Sequence, residues 1–222
     1  MSSRTSWVIG LDEVGRGPLA GPVVVAALAR SEERGARSNK RRIFKGIKDS
    51  KKLSPKQREE WVRKIKAAGI PYAIASVSPA VIDRINISRA ANLAALRAFR
   101  RLATRYSLLA TRFRVYLDGG LYLGNSKKYK NRSRNIRAYS RHNSRFFAST
   151  IIRGDEKYPA VAAASIIAKV HRDRHMTRLA RRYPRYGLEI HKGYGTAAHL
   201  AAIRRHGPSL IHRRSFLRSG AR

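Results

Sequence analysis

Short apolar runs rich in β-branched or aromatic residues recur along the chain at residues 7–11, 23–28, 71–77, 113–117 and 146–152, and predict strands. A turn containing Gly15, Gly17, Pro18, Gly21 and Pro22 joins the first two, which can pair as a hairpin. Ser54 followed by Pro55 reads as an N-cap and first turn, predicting a helix through Trp61, Val62 and Ile65 to Ala68, with Gly69 as its stop. A helix opening at Ser88 places Ala91, Ala94, Ala95, Ala98 and Leu102 on one face. A long helix over 160–181 turns Ala163, Ile167 and Val170 inward and Arg172, Arg174 and Arg178 outward, and a short helix follows near 197–205. Residues 30–48 and 119–145 are polar and basic and read as loops. Mixed strands and helices, with no internal repeat and no dividing linker, predict an α/β fold: one sheet packed by helices, in a single domain over residues 1–222.

Charge narrows the partner. Lysine and arginine total 49 against 13 acids, a formal net charge of +36, which calls for a polyanion, nucleic acid first. The chain has no cysteine, which excludes disulfide frameworks, zinc fingers, iron–sulfur clusters and thiol catalysis. No apolar run approaches the roughly 20 residues that span a bilayer, and residues 1–7 show no signal-peptide core, so no membrane partner and a cytoplasmic location are expected.

The few acids carry more information than the many bases. An acid in so basic a chain ordinarily serves as an ion-pair partner, but three features set some of these apart. Asp12 with Glu13, Asp118 and Asp155 each follow an apolar strand-like run. Each has glycine close by, and no basic residue adjoins Asp12 or Asp118. Asp118 is isolated, with no other acid across residues 84–117 or 119–154. Strands of one sheet can bring such ends together, and four carboxylates would then repel unless cations sat between them. Oxygen-only ligands favour Mg²⁺ or Mn²⁺. A pair of such ions about 4 Å apart is a common device for phosphodiester cleavage. This pattern alone leaves nuclease, integrase-like transferase and phosphatase open.

The run Asp12-Glu13-Val14-Gly15-Arg16-Gly17-Pro18-Leu19-Ala20-Gly21-Pro22 resembles the first motif of bacterial ribonuclease HII. Further blocks follow in order: Asp49-Ser50-Lys51-Lys52-Leu53-Ser54, Ile82-Asp83-Arg84-Ile85-Asn86-Ile87, Leu117-Asp118-Gly119 and Arg153-Gly154-Asp155 with the run from Ala162 to Val170. His191-Lys192-Gly193-Tyr194-Gly195-Thr196 and Ile211-His212-Arg213-Arg214-Ser215-Phe216 complete the series. The resemblance implies an RNase H-like mixed sheet flanked by helices, with a C-terminal helical extension at about 183–222. It also implies cleavage of the RNA strand of RNA–DNA hybrids and nicking 5′ to single ribonucleotides in duplex DNA. The products would carry 3′-hydroxyl and 5′-phosphate ends, and the enzyme would act as a monomer with two Mg²⁺ or Mn²⁺ ions. Carried over by position, Asp12, Glu13, Asp118 and Asp155 would be the catalytic, metal-binding acids. Gly15, Arg16 and Gly17 would read the ribose, Tyr194 would pack on the neighbouring sugar, and Ser50, Lys51, Ser165 and Lys169 would contact phosphate. A backbone bare of Cβ atoms can approach a sugar closely, and the 2′-hydroxyl is what separates RNA from DNA.

The chain departs from the family pattern in its basic segments at 34–48 and between Asp118 and Asp155, where Lys127, Lys128, Lys130, Arg132, Arg134, Arg137, Arg141 and Arg145 crowd together. They are expected to be solvated, with some duplex contact. His171 and His175 have helical metal-ligand spacing but lack an evident third ligand, and are read as surface residues. His212 can be read as a phosphate contact, as structural or as merely solvated. The competing functional reading is a noncatalytic basic nucleic-acid-binding protein with an RNase H-like fold.

Overall fold

A computed structural model describes residues 6–32, 43–47, 50–108, 112–123, 135–139 and 145–219. Its centre is a six-stranded sheet in the order β3-β2-β1-β4-β6-β5. The strands are β1 (Ser6–Val14), β2 (Val23–Ser31), β3 (Tyr72–Val77), β4 (Arg112–Asp118), β5 (Asn135–Tyr139) and β6 (Arg145–Ile151). The expected hairpin forms, with β1 and β2 antiparallel in a register that sets Asp12 against Ala26. β3 continues antiparallel from β2. On the other side β1, β4 and β6 run parallel, and β5 returns antiparallel at the edge.

Helices cover both faces. Helix α1 (Pro55–Ala67) begins at the expected cap: the Gln57 amide donates to Ser54 Oγ at 3.2 Å, and the Ser54 amide donates to Gln57 Oε1 at 2.8 Å. A seven-residue α2 (Pro79–Ile85) leads into α3 (Ile87–Arg105). The stripe Ala90, Ala91, Ala94, Ala95, Ala98 and Leu102 is fully buried. These small side chains let α3 lie close against Ile9, Leu11, Val23, Val25 and Val115. A four-residue turn of helix, α4 (Gly154–Lys157), precedes the long α5 (Pro159–Arg182). On the opposite face α5 packs on Val8, Val24, Ala26 and Leu28, together with Val62 and Ile65 of α1. Gly10 makes that contact possible, since a Cβ there would stand 2.3 Å from the Ala160 carbonyl carbon. The chain finishes with α6 (Leu188–His191), α7 (Ala197–His206) and α8 (Arg214–Ser219). Asp83 caps α8, accepting from the amides of Arg214 and Ser215 at 3.0 Å each. Burial alone would raise the Asp83 pKa, but these bonds, that from Ser215 Oγ and the Arg213 charge hold it below the usual carboxylate value.

Two expectations change. Arg172 does not face outward with Arg174 and Arg178: it is fully buried, on the same face as Met176 and Ala180. Residues 119–145 are not all loop, because 135–139 form the edge strand β5. Of the roles left open for His212, the structural one holds: it is buried and bonded to His199 and Ser209. Among the segments singled out for positive charge, 33–42, 48–49, 124–134 and 140–144 lie outside the described residues, with Lys127, Lys128, Lys130, Arg132, Arg134 and Arg141 among them. No helix among the described residues is long and apolar enough to cross a membrane.

Candidate active site

The register of the central parallel pair builds the site. Leu11 opposes Leu117, so Asp12 and Asp118 follow one residue beyond, at the ends of adjacent strands. Side chains alternate along a strand. Asp12 is in phase with Val8 and Gly10, and Asp118 with Tyr116, all on the face covered by α5. Glu13 takes the opposite phase. Carboxylate oxygens of Asp12, Glu13 and Asp118 all lie within 4.8 Å of one another.

Each of the three acids is held differently. Asp12 is 5% exposed, and its Oδ1 accepts from the Glu13 amide at 2.7 Å. Burial first, then the charges of Glu13 and Asp118, push its pKa well above the usual carboxylate range, while hydrogen bonds from Ser165 and the Glu13 amide partly oppose the shift. Ser165 Oγ in turn lies 2.8 Å from Ser50 Oγ. Burial also raises Glu13, against the lowering effect of its ion pair with Arg16 at 3.0 Å. That pair occupies Oε1 and leaves Glu13 Oε2 buried without a hydrogen-bond partner. Asp118 Oδ1 accepts from the Gly154 amide at 2.7 Å. Arg153, in the left-handed region at φ 55, aims that amide at it. A non-glycine residue held in that region marks local strain, which tends to collect at functional sites.

Asp155, buried in α4 one residue beyond Gly154, stands outside the three-carboxylate group. Ser50 and Ser165 are buried and bonded to each other, with Ser165 turned to Asp12. Lys169 pairs with Asp173 at 2.9 Å, and Lys51 is exposed. Gly17 is exposed, with the Tyr194 ring 4.0 Å from where its Cβ would stand, and Tyr194 is itself 43% exposed. His171 and His175 are partly buried.

Sequence reasoning missed two residues that hold the turn after β1. Arg213 is fully buried and donates to the carbonyls of Gly15 at 2.6 Å, Arg16 at 2.8 Å and Gly21 at 2.9 and 3.0 Å. Arg172 donates to the carbonyls of Pro22 at 3.1 Å, Lys192 at 3.0 Å and Ala20 at 3.1 Å. Gly15, at φ +87, leaves room for Arg172, whose Nε would lie 2.3 Å from a Cβ there. Burial lowers both guanidinium pKa values, Arg213 to about 9. With their carbonyls tied inward, the residues of this turn have a fixed backbone to offer a ligand.

The donor set fits a hard divalent cation: three oxygen-only side chains converge, one is strongly desolvated, and one presents a buried unpartnered oxygen. The raised pKa values give this a measurable sign. In the metal-free protein Asp12 and Glu13 keep their protons to higher pH than in the unfolded chain, where carboxyls titrate near about 4. Their contribution to stability is full below that value and is lost as pH rises through the raised one. A divalent cation held by these carboxylates would displace their protons. Calorimetric titration in buffers of different ionisation enthalpy should show proton release that is larger at pH 5.5 than at pH 8. Equal heats in every buffer at both pH values would remove Asp12 and Glu13 from the metal site.

Oxygen donors gathered at the ends of adjacent parallel strands, in a strongly cationic chain, fit the class of divalent-metal-dependent enzymes that act on phosphodiesters. The comparisons narrow the class. Residues 9–219 match the family model for ribonuclease HII. A ribonuclease HII of Caldicellulosiruptor bescii is 38% identical over 213 residues, covering 96% of this chain and 87% of that protein. One from Coxiella burnetii is 41% identical over 209 residues, covering 94% and 87%. The crystal structure of ribonuclease H2 from Pyrococcus horikoshii superimposes with a TM-score of 0.65 at 26% identity, covering 96% of each chain. The chain belongs to the ribonuclease HII family.

Proposed function

We propose that this chain is an endoribonuclease that hydrolyses the RNA strand of RNA–DNA hybrids and nicks 5′ to single ribonucleotides in duplex DNA, leaving 3′-hydroxyl and 5′-phosphate ends. The observation that carries this reading is the convergence of Asp12, Glu13 and Asp118 at the ends of β1 and β4. Asp155 is the fourth proposed acid, supported by its burial beside the Gly154–Asp118 contact. A pair of Mg²⁺ or Mn²⁺ ions would supply an activated water and stabilise the leaving oxygen. The protein's own groups do the rest. Asp12 and Glu13 are poised by burial to exchange a proton for a cation. Gly15, Arg16 and Gly17 present their backbone to the ribose, with the Tyr194 ring beside Gly17 to pack on the adjoining sugar. Ser50 and Ser165 serve this site by steadying Asp12, and Lys51 and Lys169 are the proposed phosphate contacts. The net charge of +36 supports duplex binding through the phosphate backbone. On this reading the enzyme works as a cytoplasmic monomer.

The test is a labelled duplex carrying one ribonucleotide, incubated with and without Mg²⁺, with products mapped to the nucleotide. A Mg²⁺-dependent nick on the 5′ side of the ribonucleotide is expected. Tight binding without a nick would favour the noncatalytic reading, and joining of DNA ends regardless of the 2′-hydroxyl would favour a strand transferase.

A further inference from the structure

Beneath Tyr194 three imidazoles form a network whose proton positions are forced from both ends. At one end the Ser209 amide, which can only donate, lies 3.0 Å from His212 Nδ1, with Ser209 Oγ at 3.1 Å. His212 therefore carries its proton on Nε2. That atom lies 3.1 Å from His199 Nε2, which must accept. The remaining proton of His199 is then on Nδ1, 2.9 Å from the Tyr194 carbonyl oxygen, which can only accept. The chain closes without conflict: amide to His212, His212 to His199, His199 to Tyr194.

The third imidazole holds the other side of the same turn. His191 Nδ1 accepts from the Gly193 amide at 3.2 Å, and its Nε2 donates to the Tyr186 carbonyl at 2.7 Å. Its ring stacks on that of His199, centroids 4.3 Å apart. Both His199 and His212 are buried, and burial lowers their pKa values, His212 to about 4, in keeping with the neutral forms the bonds require. Thr196 caps α7, which carries His199. His212 also forms the isolated bridge with Ala20 in the turn after β1. The network thus runs from the turn that bears Gly15–Gly17 to the turn that bears Tyr194.

We propose that His212 and His199 are positioning residues for Tyr194: their directed hydrogen bonds fix its backbone, and so set the ring beside Gly17 in the geometry needed to read an isolated ribonucleotide. The proposal rests on the reading of Tyr194 given above. Neither histidine touches substrate. Their effect should therefore fall on cleavage at a single embedded ribonucleotide, which offers one ribose to be read, more than on cleavage of a continuous hybrid, where any register presents a ribose.

The first test is the proton placement itself. Long-range ¹H–¹⁵N correlation spectra of the wild-type protein should show His199 protonated on Nδ1 and His212 on Nε2; the opposite tautomer at either ring overturns the proposal. The second compares His212→Gln, whose amide can still donate to His199, with His212→Leu, which cannot. His212→Leu should slow cleavage at the embedded ribonucleotide by at least about tenfold while hybrid cleavage falls less than about threefold, and His212→Gln should restore most of the loss. An equal fall on both substrates, or no rescue by glutamine, shows a merely structural role and overturns it. Should His212→Leu not fold, His199→Asn decides: its amide can still donate to the Tyr194 carbonyl, and a tenfold loss there contradicts the proposal. Tyr194→Ala is run alongside. If it cuts the embedded ribonucleotide at the wild-type rate, the Tyr194 reading fails. If it is slow while His212→Leu is not, only the positioning inference fails.

Discussion

Asp118→Asn should lower the Mg²⁺-dependent cleavage rate by at least about a thousandfold, on the order of 4 kcal/mol in barrier height. The fold should survive it. Asp118 Oδ1 accepts from the Gly154 amide at 2.7 Å, and the side-chain oxygen of asparagine can keep that bond. What changes is the other half of the group: an amide donor then faces Asp12 and Glu13 in place of a ligand oxygen, and the like charges that make the site eager for a cation are reduced. Hybrid affinity measured without metal should stay within a few-fold of wild type, because phosphate contacts dominate it. Mg²⁺ should raise the melting temperature of the wild-type protein, and in the variant that rise should shrink or disappear. Cleavage within tenfold of wild type would remove Asp118 from the reaction centre.

Arg213→Met should be the most destabilising single change at the site, costing about 3–5 kcal/mol. Methionine fills much of the same volume but donates nothing. The Gly15, Arg16 and Gly21 carbonyls, bonded by Arg213 at 2.6 to 3.0 Å, would lose buried donors that water cannot easily replace. Arg213→Lys should recover only part of the loss, since one ammonium cannot reproduce a planar fork that reaches three carbonyls. Urea unfolding of the three proteins measures this directly. A loss under about 1 kcal/mol for Arg213→Met would mean that the turn is held by its other bonds. Because the turn bears Gly15–Gly17, cleavage by Arg213→Met should also fall under conditions where the variant is still folded.

Much of the architecture was legible because local chemistry and tertiary structure agree. Ser54 and Pro55 read as a helix start, and the capping box is there. The alanine stripe of α3 read as a buried face, and it is. Asp118, alone in a long acid-free stretch at the end of an apolar run, read as functional, and the register of β1 against β4 sets it beside Asp12. The same logic was available at Ser78 and Pro79, where the short α2 begins, but seven residues are too few to show a period. β5 was hidden by its composition: an edge strand has little need of an apolar sequence, and Asn135-Ile136-Arg137-Ala138-Tyr139 has no regular alternation.

Arg172 shows a harder limit. Helical spacing already grouped it with Met176 and Ala180, four and eight residues on, and that was the signal for burial. Charge argued the other way, because a buried guanidinium is costly unless acceptors await it. Those acceptors are backbone carbonyls of Ala20, Pro22 and Lys192, which no pattern of side chains announces. Arg213 escaped notice for the same reason, within a block already noted for its resemblance. Asp155 sits beyond the strand end in a helical turn that opens after the left-handed Arg153, a backbone choice that periodicity does not encode.

The bonds from Arg213 to Gly21 and Gly15 join residues 192 and 198 positions apart. During synthesis Gly15 and Gly21 emerge from the ribosome well before their arginine partner, which follows 192 to 198 residues later. A nascent chain can lay down β1 and β2 and gather Asp12 and Glu13 long before the loop that would greet a sugar has acquired its lasting shape. Competence to cut is thereby deferred until Arg213 has emerged, so shorter ribosome-bound fragments of this strongly cationic chain would cling to nucleic acid without severing it.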